Sequence, residues 1–176
     1  MSLQSSVNID IAFGVVGEIV LDSGGVRAQP AVIVSGSAAN NVIGRAFTVS
    51  NGGDSSGDAV TAAAGGTGTF GGILANPKEY TTSGTTAGGT LAATTTLPNY
   101  SLGTLVNATA GIVITLAGAA DVGYWVEFVQ ATGVLNAIAA GATVTSGSTI
   151  IKGARIERYD VSSGLAVMSL NTVTAT

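Results

Sequence analysis

Apolar residues in this chain come in short runs, and the breaks between them are clusters of Gly, Ser and Asn. That punctuation is the signature of strands joined by turns. Gly14–Leu21 is the first predicted strand, closed by Asp22-Ser23-Gly24-Gly25. Ala31–Val34 follows Pro30, and Val42–Val49 ends at Asn51-Gly52-Gly53. Thr69–Ala75 stops at Asn76-Pro77, and the brief run Ile112–Leu116 is apolar enough to be buried on both faces. Tyr124–Gln130 and Val134–Ala139 flank Ala131-Thr132-Gly133, while Arg155–Val161 and Leu165–Leu170 flank Ser162-Ser163-Gly164. Each of these two loops offers a glycine where a hairpin needs a positive φ. In the last hairpin Arg155, Glu157 and Tyr159 share one face and Ile156 and Arg158 the other, so an arginine interrupts the face that should be apolar.

The first dozen residues lack turn signals. Val7, Ile9 and Ile11 alternate with Asn8 and Asp10, the pattern of a half-buried strand. Residues 1–12 are therefore either an extended arm that pairs with a neighbour's sheet edge or an ordinary first strand, and 13–176 form a single β domain. Two stretches rich in Gly, Ala, Ser and Thr, Asn51–Gly68 and Thr81–Thr96, are expected to be long loops. Many short strands at this spacing predict an all-β fold, a β-sandwich or a barrel.

Composition narrows the chemistry. The chain has no histidine and no cysteine in 176 residues, which removes the commonest general acid–base group, thiolate nucleophiles, disulfides and most structural zinc sites. Ser and Thr are plentiful, but only Lys78 and Lys152 could activate one, and neither lies in a Ser-Lys motif. Gly65-Gly66-Thr67-Gly68 lacks the lysine of a phosphate-binding loop. No enzyme and no cofactor is expected.

Only 9% of the residues are charged, against a typical ~25%, and the net charge is −4. With no basic patch, nucleic acid is not an expected partner. Either hydroxyls, amides and glycines solvate the surface, or other molecules cover an unusual share of it. Asn51–Asp58 brings two carboxylates together in a turn, but its spacing matches no calcium-binding pattern, so a solvated turn is the better expectation. Lys152, Arg155, Glu157, Arg158 and Asp160 crowd five charges into nine residues. A solvated hairpin face is favoured there over a contact with a partner's acidic groups. Trp125, between Tyr124 and Phe128, is expected in the core rather than on a binding platform. Met1–Ser6 lacks the basic start of a signal peptide, and no apolar run approaches the ~18 residues of a membrane span.

Several ordered segments resemble the structural cement proteins of tailed bacteriophages. They are Val7-Asn-Ile-Asp-Ile-Ala-Phe-Gly-Val-Val-Gly-Glu18, Val26-Arg-Ala-Gln-Pro-Ala31, Asn41-Val-Ile-Gly-Arg-Ala-Phe-Thr48, Gly66–Tyr80, Gly89-Thr-Leu-Ala, Leu97-Pro98 and Gly164–Leu170. Together they cover most of the chain, and Ile73–Tyr80 is the most specific part. The resemblance implies a β-sandwich or barrel, often jelly-roll-like, that decorates the outer capsid surface of the virion. It implies a chain made in the bacterial host cytoplasm that bridges neighbouring major capsid proteins, forms dimers or trimers at capsid symmetry axes, and needs neither membrane nor nucleic acid. Val7, Ile9, Ile11, Phe13, Pro77, Lys78, Tyr80, Arg155 and Arg158 are the candidate interface residues. The competing expectations are a tail or head-fibre component and a carbohydrate-binding module built on Tyr124 and Trp125.

Overall fold

Short Val-, Ile- and Thr-rich segments between glycine turns give the chain many strands and little else. A computed structural model describes residues 14–20, 25–51, 60–76 and 96–171. The strands are β1 (Arg27–Ile33), β2 (Ala46–Asn51), β3 (Val60–Ala64), β4 (Thr69–Leu74), β5 (Leu102–Thr115), β6 (Trp125–Val129), β7 (Leu135–Ile138), β8 (Ser148–Tyr159) and β9 (Leu165–Asn171). One 3₁₀ turn, Ala38–Asn40, is the only helical element among the described residues.

The strands follow the order β1-β3-β2-β4-β5-β9-β8-β6-β7, and β1 also pairs with β5. That extra pairing closes the first five strands into a barrel, which removes their open edges. All its pairings are antiparallel except β1 with β3, where Val32 lies opposite Thr61. The 14-residue β5 belongs to two structures at once. Its first half pairs with β1 and β4, and its second half pairs with β9. From there β9, β8, β6 and β7 curl round until a single bridge, Leu116 to Leu135, brings the far edge back to the end of β5.

Two buried clusters result. The barrel interior holds Ile33, Ile43, Phe47, Leu74 and Leu105. The second core holds Phe128, Leu135, Ile151, Ile156 and Met168, together with Ala46, Ile73 and Val106 from barrel strands. Neighbouring residues therefore alternate between the cores: Ala46 against Phe47, Ile73 against Leu74, Val106 against Leu105. The β2–β4–β5 wall is a partition with apolar residues on both faces, the strand type that reads as a continuous apolar run. Each large side chain buried there contributes roughly 1.5–3 kcal/mol.

The curled sheet is fastened to the barrel by glycines. Ala46 N–H donates to Gly133 O (3.0 Å), Gly65 N–H to Ala46 O (2.9 Å) and Gly66 N–H to Gln130 O (2.6 Å). Gly65 and Gly133 have φ of 70° and 72°. A Cβ on Gly65 would lie 2.4 Å from Gln130 O, and one on Gly133 2.4 Å from Ala46 O. Arg45 reinforces this seam, donating to Asn40 Oδ1 (3.1 Å) and Thr132 O (3.2 Å). Partial burial lowers its pKa from the ordinary arginine value.

The all-β expectation holds, and the barrel is the form adopted. Several elements differ, and among them β1 begins at Arg27 rather than Ala31 and β2 at Ala46 rather than Val42. Gly14–Leu21 forms no strand over its described residues; it turns at Val16–Gly17 and then runs along the second half of β5, with one bridge at Ile19–Ile112. Gly17 N–H donates to Val113 O (2.8 Å) and Val20 N–H to Gly111 O (3.0 Å). This segment covers Val113, so Ile112, Val113 and Ile114 are buried on both faces as expected, while Thr115 is exposed. The expected loop Asn51–Gly68 contains β3, which the barrel needs for closure. β5 begins at Leu102 rather than Ile112, and β8 at Ser148 rather than Arg155. The arm over residues 1–12 lies outside the described residues, as do 77–95.

Candidate interaction surface

Of the nine candidate interface residues, Val7, Ile9, Ile11, Phe13, Pro77, Lys78 and Tyr80 lie outside the described residues. Arg155 and Arg158 are exposed on β8, with Glu157 between them. The arginine that broke the predicted alternation has a backbone explanation. Pairing with β9 steps from Ile156–Met168 to Arg158–Val167, so Glu157 is an extra residue in a bulge. The bulge returns Arg158 to solvent instead of driving it into the core.

A larger bulge lies upstream. Trp125 pairs with Arg155 and Glu127 with Ile150, so two steps on β6 match five on β8. Ile151 and Ala154 anchor the excess in the second core, while Lys152 and Gly153 are exposed. Gly153 has φ 79°, and a Cβ there would lie 2.1 Å from Asn171 O at the end of β9. Only glycine fits that close approach. The bulge opens a groove of about 340 Å³ lined by Trp125, Ile150, Lys152 and Arg155. Trp125 thus departs from its expected place: it is half-buried at this groove and outside the core, whose central aromatic is Phe128. Phe70 packs against Phe128 with ring centroids 6.1 Å apart.

On the same strand Glu127 faces away from the core yet is only 1% exposed. The β7–β8 connection covers it, and Thr145 N–H donates to its Oε2 (2.9 Å). Its Oε1 has no partner among the described protein atoms.

A second feature, absent from the sequence-based expectations, lies at the barrel. Tyr100 is 81% exposed and has φ 67°, the only non-glycine residue with positive φ among those described. Two asparagines clamp the turn that carries it. Asn99 Nδ2 donates to Ser35 O (3.0 Å), its Oδ1 accepts from Ser35 N–H (3.1 Å), and buried Asn41 donates to Asn99 Oδ1 (2.9 Å) and to Leu97 O (3.0 Å). Tyr100 N–H donates to Ile33 O (2.7 Å). With exposed Val34 and Leu102, Tyr100 makes an apolar patch beside a groove of about 500 Å³ floored by Thr48, Thr61 and Ala62. The Asn99-Tyr100 pair after Leu97-Pro98 was the available signal, since such turns tolerate positive φ.

Among the described residues no three metal-ligating side chains come together, and no helix is long and apolar enough to cross a membrane.

The comparison with protein families matches residues 3–171 to the structural cement protein model, described by E217 gp24 and Pam3 gp6. The chain belongs to the structural cement protein family. The family is one of structural phage proteins, in agreement with the resemblance carried by Ile73–Tyr80. No curated protein matches this cement protein. Among solved structures it is similar to a chain of "The capsid of Myoviridae Phage XM1", at 12% identity and a TM-score of 0.58. That match covers 98% of this chain and 99% of the other. At such identity the likeness shows a shared fold.

Proposed function

We propose that this cement protein sits on the outer surface of the mature phage capsid and bridges neighbouring major capsid proteins, stabilising the shell against the pressure of packaged DNA. The family match over residues 3–171 carries this proposal. Made in the host cytoplasm, the protein acts by binding alone. A ligand that engages only the assembled lattice stabilises that lattice by mass action. A standard interface buries about 1,600 Å², and contacts repeated over a shell multiply a modest affinity. The sparse charge supports the same reading, because an interface core is depleted of charged residues. Dimers or trimers at symmetry axes give each unit more than one capsid contact. The capsid-contacting residues in this proposal are Val7, Ile9, Ile11, Phe13, Pro77, Lys78, Tyr80, Arg155 and Arg158.

The decisive experiment deletes the gene and compares particles. Particles lacking the protein should release DNA at lower temperature and on milder chelator treatment, and purified protein should bind them and restore resistance. Equal resistance without the protein, or no binding to expanded capsids, would falsify the proposal.

A further inference from the structure

The groove beside the β8 bulge gathers Lys152, Arg155 and Trp125. β-Bulges re-aim side chains, and here the anchors on either side are fixed. Ile151 and Ala154 are buried, and Gly153 is pressed against Asn171 O, so Lys152 is thrust outward beside Arg155. Neither the Lys152 nor the Arg155 side chain makes a hydrogen bond or ion pair with a described residue. Exposed cations on a sheet commonly pair with a cross-strand carboxylate. The nearby carboxylates are committed elsewhere: Glu157 accepts from Ser169 Oγ (2.6 Å), and Glu127 is sealed beneath its loop on Thr145 N–H. Half-buried Trp125, paired with Arg155 across the strands, lines the same groove. A chain with ten acidic and six basic residues has thus placed two uncommitted cations beside a tryptophan.

We infer that the Trp125–Lys152–Arg155 groove receives carboxylate side chains presented by the capsid subunit on which this protein sits. This rests on the capsid-binding proposal and names the chemistry of one contact within it. Arginine supplies a planar fork for a carboxylate, lysine a mobile point charge, and the indole a partly desolvated lining that strengthens both. Two such contacts at an interface rim act mainly on encounter rate and salt dependence.

Binding of the protein to capsids from a gene-deletion phage, measured across about 0.05–0.5 M salt, tests this. Lys152→Glu/Arg155→Glu should weaken binding about tenfold or more at low salt and flatten the salt slope, with an unchanged melting temperature because both side chains are exposed. Lys152→Arg should retain wild-type affinity. The inference is overturned if the double variant keeps wild-type affinity and slope while wild type binds capsids normally, an outcome that leaves the cement role intact. It is equally overturned if the variant abolishes self-association instead, which would make the occupant a second copy. Should wild type fail to bind capsids, the cement proposal itself fails, and the groove is judged by poly-L-glutamate. Emission from Trp125, the only tryptophan, should shift on adding it to wild type and not to the double variant. No shift in wild type overturns the inference.

Discussion

The barrel and the curled sheet share β5 and a partition wall but solve the problem of a surface differently. The barrel strands, β1 to β4 and β5 through Ala108, carry one charge, Arg27. The strands of the curled sheet, β6 to β9, carry five: Glu127, Lys152, Arg155, Glu157 and Arg158. Closure explains part of the contrast. A closed barrel has no free edge to guard, whereas an open or half-sealed sheet needs charges and bulges to keep its edges from pairing. The barrel steps register at Arg27/Ala28 and Phe47/Thr48 and, beyond that, holds an aromatic, Tyr100, out on a strained turn. The curled sheet spends its irregularity on glycine and two bulges that turn cations outward. One half therefore presents an exposed tyrosine and the other exposed cations.

The largest expected effect comes from cutting the link between the halves. Gly65→Ala or Gly133→Ala places a Cβ 2.4 Å from a backbone oxygen and forces a non-glycine residue into positive φ. The φ penalty is about 1–2 kcal/mol, and relieving the clash brings the expected loss to roughly 2–4 kcal/mol. Denaturant unfolding followed both by Trp125 emission, which reports the curled sheet, and by far-UV circular dichroism measures it. We expect the two probes to coincide in wild type, because Ala46, Ile73 and Val106 lend side chains to the second core from barrel strands. Separate transitions in wild type would mean that the halves are independent, and the comparison would then concern two domains.

A smaller effect, of opposite sign, should come from the barrel. Tyr100→Asn puts a residue tolerant of left-handed backbone at φ 67°, which should stabilise by about 0.5–1 kcal/mol. The midpoint of denaturant unfolding should rise while the m-value stays fixed. If instead the variant is destabilised, the tyrosine ring contributes packing that its 81% exposure does not suggest, and the contrast between strained barrel and relaxed sheet falls.

These contrasts were only partly visible in the sequence, and the division is physical. Hairpins were legible because they are local: Gly133 and Gly164 stand where positive φ is required, with φ of 72° and 69°. The first half of β5 was not, because Gly103 and Asn107 imitate a loop. Gly103 is there to admit side chains from elsewhere, since a Cβ would meet Ile33 Cδ1 at 2.8 Å and Leu74 Cδ1 at 3.0 Å. β3, spelled Val-Thr-Ala-Ala-Ala, has little strand propensity and is held by its partners β1 and β2, a non-local cause that no window of sequence contains. Trp125 was misplaced for a related reason. The bulge that opens its groove depends on Asn171 approaching Gly153, and the sequence hints at it only through a Lys-Gly pair inside an apolar run. The family resemblance did reach the partition wall, since Ile73 and Leu74 face the two cores.

The smallest effect concerns acid, and it is expected at the β8–β9 turn of the curled sheet. Asp160 closes the β8–β9 turn, where its carboxylate accepts from Ser163 Oγ, from Ser162 Oγ (2.8 Å) and from the backbone N–H groups of both serines (3.1 Å each). The hydrogen bond from Ser163, with those from Ser162, holds its pKa at about 2, below the ordinary 3.8. A carboxyl whose pKa is depressed on folding stabilises the fold above its unfolded pKa, and the contribution is lost as pH falls through the folded value. The gain should therefore be complete above about pH 5 and fade toward about pH 2. Asp160→Asn keeps one acceptor for the turn but cannot titrate. The melting-temperature difference between wild type and Asp160→Asn should shrink steadily over that window, and it should be small at neutral pH because the turn is fully solvated. A difference that stays constant with pH would show that the serine hydrogen bonds do not discriminate between carboxylate and amide. The acid response would then have to come from the other carboxylates of the chain.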